Sequence, residues 1–404
     1  MKARINPCKL SGTIVAPLSK SHLHRLLISA AMADGESYIH GASDADDVLA
    51  TVESLKALGA DIARVDDGYA VVGHNMRKTA PRGTLNCRDS ASTLRFLIPI
   101  ATLSGARVYM VGSEVLMKRP IFVFKTIFDE REMLLERMGR LISVDGPLAP
   151  GEFVLAGDVS SQFISGLMLA LPVLDGDSRL KITPPFESKG YVDMTEATLA
   201  SFDVFVRKTD EYTYEIPGNQ TYMPGEYYAE GDWSAAAFIT ALSYVGHSTE
   251  AVGLNENSKQ PDKAAKNIFD RIAAGDKEPI DLSDCPDLAP VSFALAAELG
   301  GAHFIGVKRL SIKESNRAEA MREELEKLGC SITVGDGYVT VPKVKLHAPS
   351  VPISAHGDHR IAMAMAVLLT LYGGEITGAE SIRKSYPHFY EDLNKLGAGI
   401  ELYY

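Results

Sequence analysis

The sequence predicts a mixed α/β fold built from six related units that pack as two compact lobes of three. Three observations carry this reading: a recurring helix end followed by a β-hairpin, the regular spacing of its copies, and a length of 404 residues that suits two or three domains. The clearest copy is Leu55-Lys56-Ala57-Leu58-Gly59-Ala60-Asp61-Ile62, followed by Asp67-Gly68-Tyr69-Ala70-Val71-Val72. It returns as Leu325-Glu326-Lys327-Leu328-Gly329-Cys330-Ser331-Ile332, followed by Asp336-Gly337-Tyr338-Val339-Thr340-Val341. An amphipathic helix that stops at glycine and passes into alternating apolar residues is a helix-to-hairpin transition, and each Asp-Gly pair reads as a two-residue turn.

Weaker copies run from Leu135 to Leu155, from Leu199 to Ile216 and from Leu393 to Tyr404. Their junction residues Gly59, Gly139, Phe202, Gly329 and Gly397 are separated by 80, 63, 127 and 68 residues. The gap of 127 is about twice the others and predicts a hidden copy, with Ile268 to Leu282 the candidate.

Composition excludes several function classes. The net charge of −11 opposes general binding to nucleic acid or to an anionic bilayer surface. The longest apolar stretch, Ile361 to Tyr372, is 12 residues, too short for a membrane span. The opening Met1-Lys2-Ala3-Arg4-Ile5-Asn6-Pro7 lacks the apolar run of a secretory leader, and Cys8, Cys87, Cys285 and Cys330 form no CxxC, so the expected location is the cytoplasm. In so acidic a chain, any anion must be held by local clusters of cations.

Such clusters recur at loops rich in small residues and at predicted helix starts. Ser19-Lys20-Ser21-His22-Leu23-His24-Arg25 opens a helix whose buried stripe is Leu23, Leu26, Leu27, Ala30 and Ala31, which puts Lys20 and Ser21 at its positive end and Arg25 four residues on. Asp89-Ser90-Ala91-Ser92-Thr93-Leu94-Arg95 reads either as close backbone approach to a ligand or as a plain capped helix start. Met117-Lys118-Arg119-Pro120-Ile121 is a cationic loop stiffened by proline, and Ser160-Ser161-Gln162-Phe163 suits a phosphate or an ordinary N-cap. Ser188-Lys189-Gly190-Tyr191 precedes another helix. Further on, Pro286-Asp287-Leu288-Ala289-Pro290 places a carboxylate where an aspartate normally caps. Lys313-Glu314-Ser315-Asn316-Arg317 puts two cations on a helix start, against the macrodipole, which a bound anion would explain. Gly357-Asp358-His359-Arg360 and Lys384-Ser385-Tyr386-Pro387 complete the set. The HxxH spacing of His356 and His359 has no third ligand in view, so no metal is expected. The absence of GxGxxG and GxxxxGK[ST] argues against dinucleotides and P-loop nucleotides. Lys20, Arg25, Arg95, Arg119, Lys313, Arg317, Arg360 and Lys384 together would suit ligands carrying several phosphate and carboxylate groups.

In this order the strings SKSHLHRLL, DSASTLR, MKRPI, SSQF, SKGY, PDLAP, KESNR, GDHR and KSYP resemble the enolpyruvyl transferase (carboxyvinyltransferase) family over essentially the whole chain, most closely its branch acting on shikimate 3-phosphate. The resemblance implies an inside-out α/β barrel arrangement, three βαβαββ units per lobe, with residues 1–18 and 232–404 in one lobe and 19–231 in the other. It implies an active site in the cleft between lobes, no cofactor, a monomer, and two small-molecule substrates, shikimate 3-phosphate and phosphoenolpyruvate. Lys20, Ser21, Arg25, Ser160, Ser161, Gln162, Ser188, Tyr191, Asp287 and Lys313 match the positions that hold shikimate 3-phosphate. Lys20, Ala91, Arg119, Gln162, Arg317, Arg360 and Lys384 match those around phosphoenolpyruvate. Asp287 would be the base and Glu314 the acid at C3, assisted by Lys20 and Lys384. Arg309 stands where many relatives have asparagine, and Ala91 where they have glycine, which points to glyphosate tolerance. The sister transferase acting on UDP-N-acetylglucosamine is the alternative; it usually carries a cysteine where this chain has Glu114 and an asparagine where it has Ser21.

Overall fold

The computed structural model describes residues 1–404 and divides into two compact units, Met1–Ser19 with Glu230–Tyr404, and Lys20–Ala229. The crossings fall after Ser19 and before Glu230 rather than at 18/19 and 231/232. Ser19 N donates to Glu230 O at 2.7 Å, Asp232 N donates to Pro17 O at 2.7 Å, and Leu18 bridges Gly231, so both stretches form one paired ribbon of the first unit.

One local device repeats once in each of the six units, besides a further copy at Gly246 that closes helix Trp233–Tyr244 through His247→Leu242. A helix closes with the N–H of one residue bonded to the carbonyl five residues earlier, and the residue before that N–H takes a positive φ. The bonds are Ala60→Leu55, Met133→Phe128, Val204→Leu199, Asp276→Arg271, Cys330→Leu325 and Ala398→Leu393, and the turning residues are Gly59, Glu132, Asp203, Gly275, Gly329 and Gly397. This is the Schellman closure, which satisfies carbonyls that a helix end leaves open. Two sequence-derived junctions are corrected by it. Gly139 lies in the hairpin between strands Leu135–Met138 and Leu141–Val144, and the helix Phe122–Glu130 closes earlier at Glu132. The third junction is Asp203, one residue past Phe202. Four of the six turns use glycine, the residue that adopts left-handed backbone without a Cβ penalty.

The hidden copy lies where expected, at Gly275 after helix Ala265–Ala273, but its hairpin is gone. Five sheets share one order, a parallel strand pair extended by two antiparallel strands, whereas the sixth consists only of Ser11–Val15 paired parallel to Ser248–Val252. The chain's first strand, Lys2–Ile5, joins Gly374–Thr377 and Glu401–Tyr403, which ties the N-terminus into the last repeat. The two hairpins differ. Asp336-Gly337 is a two-residue turn with Gly337 at φ 79°, whereas the earlier turn is Asp66-Asp67 and Gly68 begins the returning strand. A Cβ on Gly68 would lie 2.0 Å from the Ile39 carbonyl oxygen, so glycine is required there by close approach.

Helices occupy the middle of each unit and sheets the outside. Helix His359–Tyr372 is buried from His359 to Thr370, and it packs with Trp233–Tyr244 and Ala289–Leu299, whose apolar residues run all round as expected of central helices. Strands such as Lys2–Ile5 and Glu152–Ala156 alternate exposed and buried residues, the pattern of a sheet with one wet face. The arrangement is inside-out as the resemblance implies, but the strands form separate sheets with free edges rather than a closed barrel.

Candidate active site

In the unit Lys20–Ala229 the chemistry gathers at helix N-termini. Lys20 is the first residue of helix Lys20–Met32, and its ammonium sits 2.9 Å from Asp47 Oδ2 on helix Asp46–Leu58. Behind this pair a buried chain of hydroxyls joins three helices: His24 Nδ1 to Thr51 Oγ1 at 2.7 Å, Thr51 Oγ1 to Thr93 Oγ1 at 2.7 Å, and Thr93 Oγ1 to Ser90 Oγ at 2.8 Å. Burial, then the charges of Lys20 and Arg25, hold the His24 imidazole well below its usual range, so it is a neutral structural link.

Arg25 is also buried. It donates to Ser21 O at 2.7 Å, to Thr195 Oγ1 at 2.8 Å and to Tyr191 O at 2.8 Å, and its guanidinium lies 5.0 Å from the Phe96 ring centroid. Burial brings its pKa down to about 10, still cationic at neutral pH. It thereby joins Ser21 to Tyr191 in the first turn of helix Lys189–Ser201. Ser188, just before that helix, holds φ 56° and ψ 37°. For a residue other than glycine this backbone costs about 1 kcal/mol or more, and such strain concentrates at ligand sites.

Ser90 is a true N-cap of helix Ala91–Ala101, accepting from Thr93 N at 3.2 Å, and Ala91 is the buried first residue. Ser160 likewise caps helix Ser161–Ala170, accepting from Gln162 N at 3.3 Å. Arg119 ends the short helix Glu114–Lys118. Its loop is held by a residue that sequence reasoning missed, Arg137, which donates to Met117 O at 2.6 Å and Arg119 O at 3.3 Å from a strand with no local signal for that role.

In the other unit six of the assigned residues form one cluster. Arg317, with its side chain 1% exposed, donates from Nη1 to Asp287 at 2.7 Å, from Nη2 to Glu314 at 2.9 Å and from Nε to Asp358 at 2.8 Å. Arg360 Nη2 donates to the other Asp287 oxygen at 2.8 Å, Lys313 Nζ lies 3.5 Å from Asp287, and Lys384 Nζ lies 3.5 Å from Glu314. Burial pushes the Asp287 carboxyl up, but Arg360, Lys313 and Arg317 together outweigh it and hold the group well below the usual carboxylate range. Burial brings Lys313 down to about 8 against the pull of Asp287.

This geometry corrects two expectations. Asp287 caps no helix, since the short turn Pro286–Leu288 has no side-chain cap. Lys313 is not four residues along a helix from Arg317: helix Arg317–Glu326 starts at Arg317, capped by Asn316, and Lys313 precedes it in extended backbone. The cations at this helix start meet the protein's own carboxylates, chief among them Asp358. That aspartate, fully buried and unassigned from sequence, also caps helix His359–Tyr372 by accepting from Arg360 N at 3.0 Å. Arg309 reaches the Ser283 carbonyl and so braces the loop before Asp287. The histidines of HxxH part company, His356 joining Glu323 and Glu324 and His359 lying in the core.

The eight cations thus stand as two sets of four, one per unit. Comparison with known proteins defines the class first. The fold is similar over 99% of both chains to EPSP synthase from Acinetobacter baumannii, with a TM-score of 0.80 at 23% identity. It is also similar to the enolpyruvyl transferase NikO from Streptomyces tendae, with a TM-score of 0.78 at 16% identity over 99% of this chain and 98% of that one. This is the enolpyruvyl transferase fold. At the level of sequence, the family described as EPSP synthase (3-phosphoshikimate 1-carboxyvinyltransferase) matches residues 5–393. Proteins named 3-phosphoshikimate 1-carboxyvinyltransferase from Clostridium perfringens and Clostridium beijerinckii are each 37% identical, covering 98% of this chain and 98% and 97% of their own. The chain belongs to the EPSP synthase family.

Proposed function

We propose that the chain transfers the enolpyruvyl group of phosphoenolpyruvate to the 5-hydroxyl of shikimate 3-phosphate, giving 5-enolpyruvylshikimate 3-phosphate and inorganic phosphate in the shikimate pathway. The observation that carries this reading is the cluster of Asp287, Lys313, Glu314, Arg317, Arg360 and Lys384, built from the PDLAP, KESNR, GDHR and KSYP strings in a chain of this family.

In the addition step the hydroxyl oxygen bonds to C2 of the enolpyruvate as its proton passes to Asp287, and C3 takes a proton from Glu314. In the elimination step the tetrahedral intermediate loses phosphate and C3 returns a proton, restoring the double bond. A carboxylate held by three cations is a weak base. Incoming phosphate and carboxylate groups compete for Arg317, Arg360 and Lys313, and Asp287, released from them, rises toward useful basicity. The cations then stabilise the leaving phosphate. Lys20, Ser21, Arg25, Ser160, Ser161, Gln162, Ser188 and Tyr191 serve shikimate 3-phosphate in this reading, and Lys20, Ala91, Arg119, Gln162, Arg317, Arg360 and Lys384 serve phosphoenolpyruvate. None of these steps needs a metal or organic cofactor. The reading extends to glyphosate tolerance through the Ala91 methyl.

Phosphate release should require both substrates, and UDP-N-acetylglucosamine should not replace shikimate 3-phosphate. Lys20→Met should lose more than about a hundredfold in rate, as expected when a cation leaves a desolvated anion site. Activity above about a tenth of the native value in that variant would remove Lys20 from the mechanism.

A further inference from the structure

Arg95 is a buried cation of the eight whose hydrogen bonds go to a loop carbonyl and to the side chain of Gln162. It is 2% exposed. Its Nη1 donates to Gln162 Oε1 at 2.8 Å, its Nε and Nη2 donate to Pro120 O at 3.3 and 3.0 Å, and its guanidinium lies 4.9 Å from the Phe163 ring centroid. Gln162 Nε2 in turn donates to Ser92 Oγ at 2.8 Å.

We propose that Arg95 sets the direction of a hydrogen-bond relay, Arg95 to Gln162 to Ser92, that makes the Gln162 amide and the Ser92 hydroxyl donors to the phosphoenolpyruvate anion. The inference rests on the reading of Gln162 as a phosphoenolpyruvate contact, and adds Ser92 as a binding residue and Arg95 as a positioning residue. Its logic is one of donors and acceptors. Guanidinium has five N–H groups and no acceptor, so the amide must present its oxygen to Arg95. A flipped amide would set NH2 against a buried cation. With the oxygen committed, every hydrogen of the amide lies on the far side, one directed at Ser92. Ser92 Oγ accepts that bond, so its single O–H hydrogen points elsewhere. Two hydrogens remain for an anion: the second Gln162 N–H and the Ser92 O–H. Both side chains are half-buried, so they can be reached from solvent, and both sit in the first turn of a helix, Ala91–Ala101 and Ser161–Ala170, where the helix dipole also favours negative charge. Arg95 also donates to the carbonyl of Pro120, the residue after Arg119.

A double-mutant cycle tests this. Arg95→Met and Gln162→Met should each raise KM for phosphoenolpyruvate about tenfold to a hundredfold, the range for losing hydrogen bonds to a charged group. In the Gln162→Met background, Arg95→Met should add less than about threefold, because its effect runs through the amide. Ser92→Ala should raise KM for phosphoenolpyruvate about tenfold, and Ser92→Thr, which keeps the hydroxyl, should restore it. Multiplicative losses in the cycle, or a loss for shikimate 3-phosphate in Ser92→Ala as large as that for phosphoenolpyruvate, overturn the relay while leaving the proposed reaction standing. If Arg95→Met does not fold, the two Ser92 variants decide: an unchanged KM for phosphoenolpyruvate in Ser92→Ala overturns the proposal. A native protein that releases no phosphate from the two substrates overturns the reaction and the relay together.

Discussion

Arg317→Lys keeps the charge and removes the fork, and the structure says what that should cost. Three nitrogens of one planar group each hold a different carboxylate: Nε holds Asp358, Nη1 holds Asp287 and Nη2 holds Glu314. The single ammonium of lysine cannot stand in three places, so at least one carboxylate loses its cation. Asp358 is the most exposed to harm because it is fully buried; it would keep hydrogen bonds from Ser315 Oγ at 3.1 Å and Arg360 N at 3.0 Å, with His359 Nδ1 3.7 Å away. Breaking a buried ion pair from one side costs about 3–5 kcal/mol, and the retained charge puts the lysine variant near the lower end, about 3 kcal/mol. For a unit of about 150–250 residues each kcal/mol moves Tm by about 2–4 °C, so calorimetry should show a fall of about 6–12 °C. The kcat/KM for phosphate release should drop more than about a hundredfold, since the fork also sets the positions of Asp287 and Glu314. Arg322→Lys is the control: its partner Glu319 is exposed, as it is itself, and such a pair is worth at most about 1 kcal/mol. A Tm within about 2 °C of native in Arg317→Lys, with activity within tenfold, would refute the reasoning that this guanidinium organises the cluster.

Three further outcomes follow from single groups. Lys313, near 8 when folded against an ordinary 10.5, should lose its charge as pH rises through about 8, so calorimetric affinity for shikimate 3-phosphate should weaken above that pH in the native protein and stay flat in Lys313→Gln. The sign for stability is opposite: between about 8 and 10.5 the unfolded chain binds more protons, so this group's contribution to stability rises with pH there. His356, raised by its hydrogen bond to Glu324 at 2.7 Å, stabilises fully below 6.5 and loses that contribution as pH climbs past the raised value; thermal unfolding across pH 6–8 should show the loss natively and not in His356→Gln. Ala91 is buried at the start of its helix, and one methyl of overpacking costs about 1–3 kcal/mol, so Ala91→Gly should tighten glyphosate inhibition about tenfold with little change in KM for phosphoenolpyruvate. Equal inhibition of the two proteins would show that the methyl does not reach the inhibitor.

What could be read in the sequence, and what could not, divides along a physical line. Gly59, Gly329 and Gly397 announced their helix ends because positive φ selects glycine, and the hidden copy at Gly275 was reached through spacing. Glu132 and Asp203 perform the same turn without glycine, so the junctions near them were misplaced toward the nearest conspicuous residue. The missing hairpin after Gly275 could not be foreseen, since its sheet is completed by Ser11–Val15 from the far end of the chain. The same line runs through the site. Cations beside hydroxyls and small residues at helix starts were legible as anion sites, because local chemistry is enough to mark them. Which anion each one faces is a long-range matter. Asp47 meets Lys20 across 27 positions, and Asp358 meets Arg317 across 41, and no local pattern pairs them. Arg95 makes the point most sharply. By its string it ranks with the substrate-binding cations, yet its partners Pro120 and Gln162 lie 25 and 67 positions away and turn it into a support for other donors. A cation in such a string therefore establishes that negative charge or a carbonyl will be held there, and only the fold decides whether the protein or the substrate supplies it.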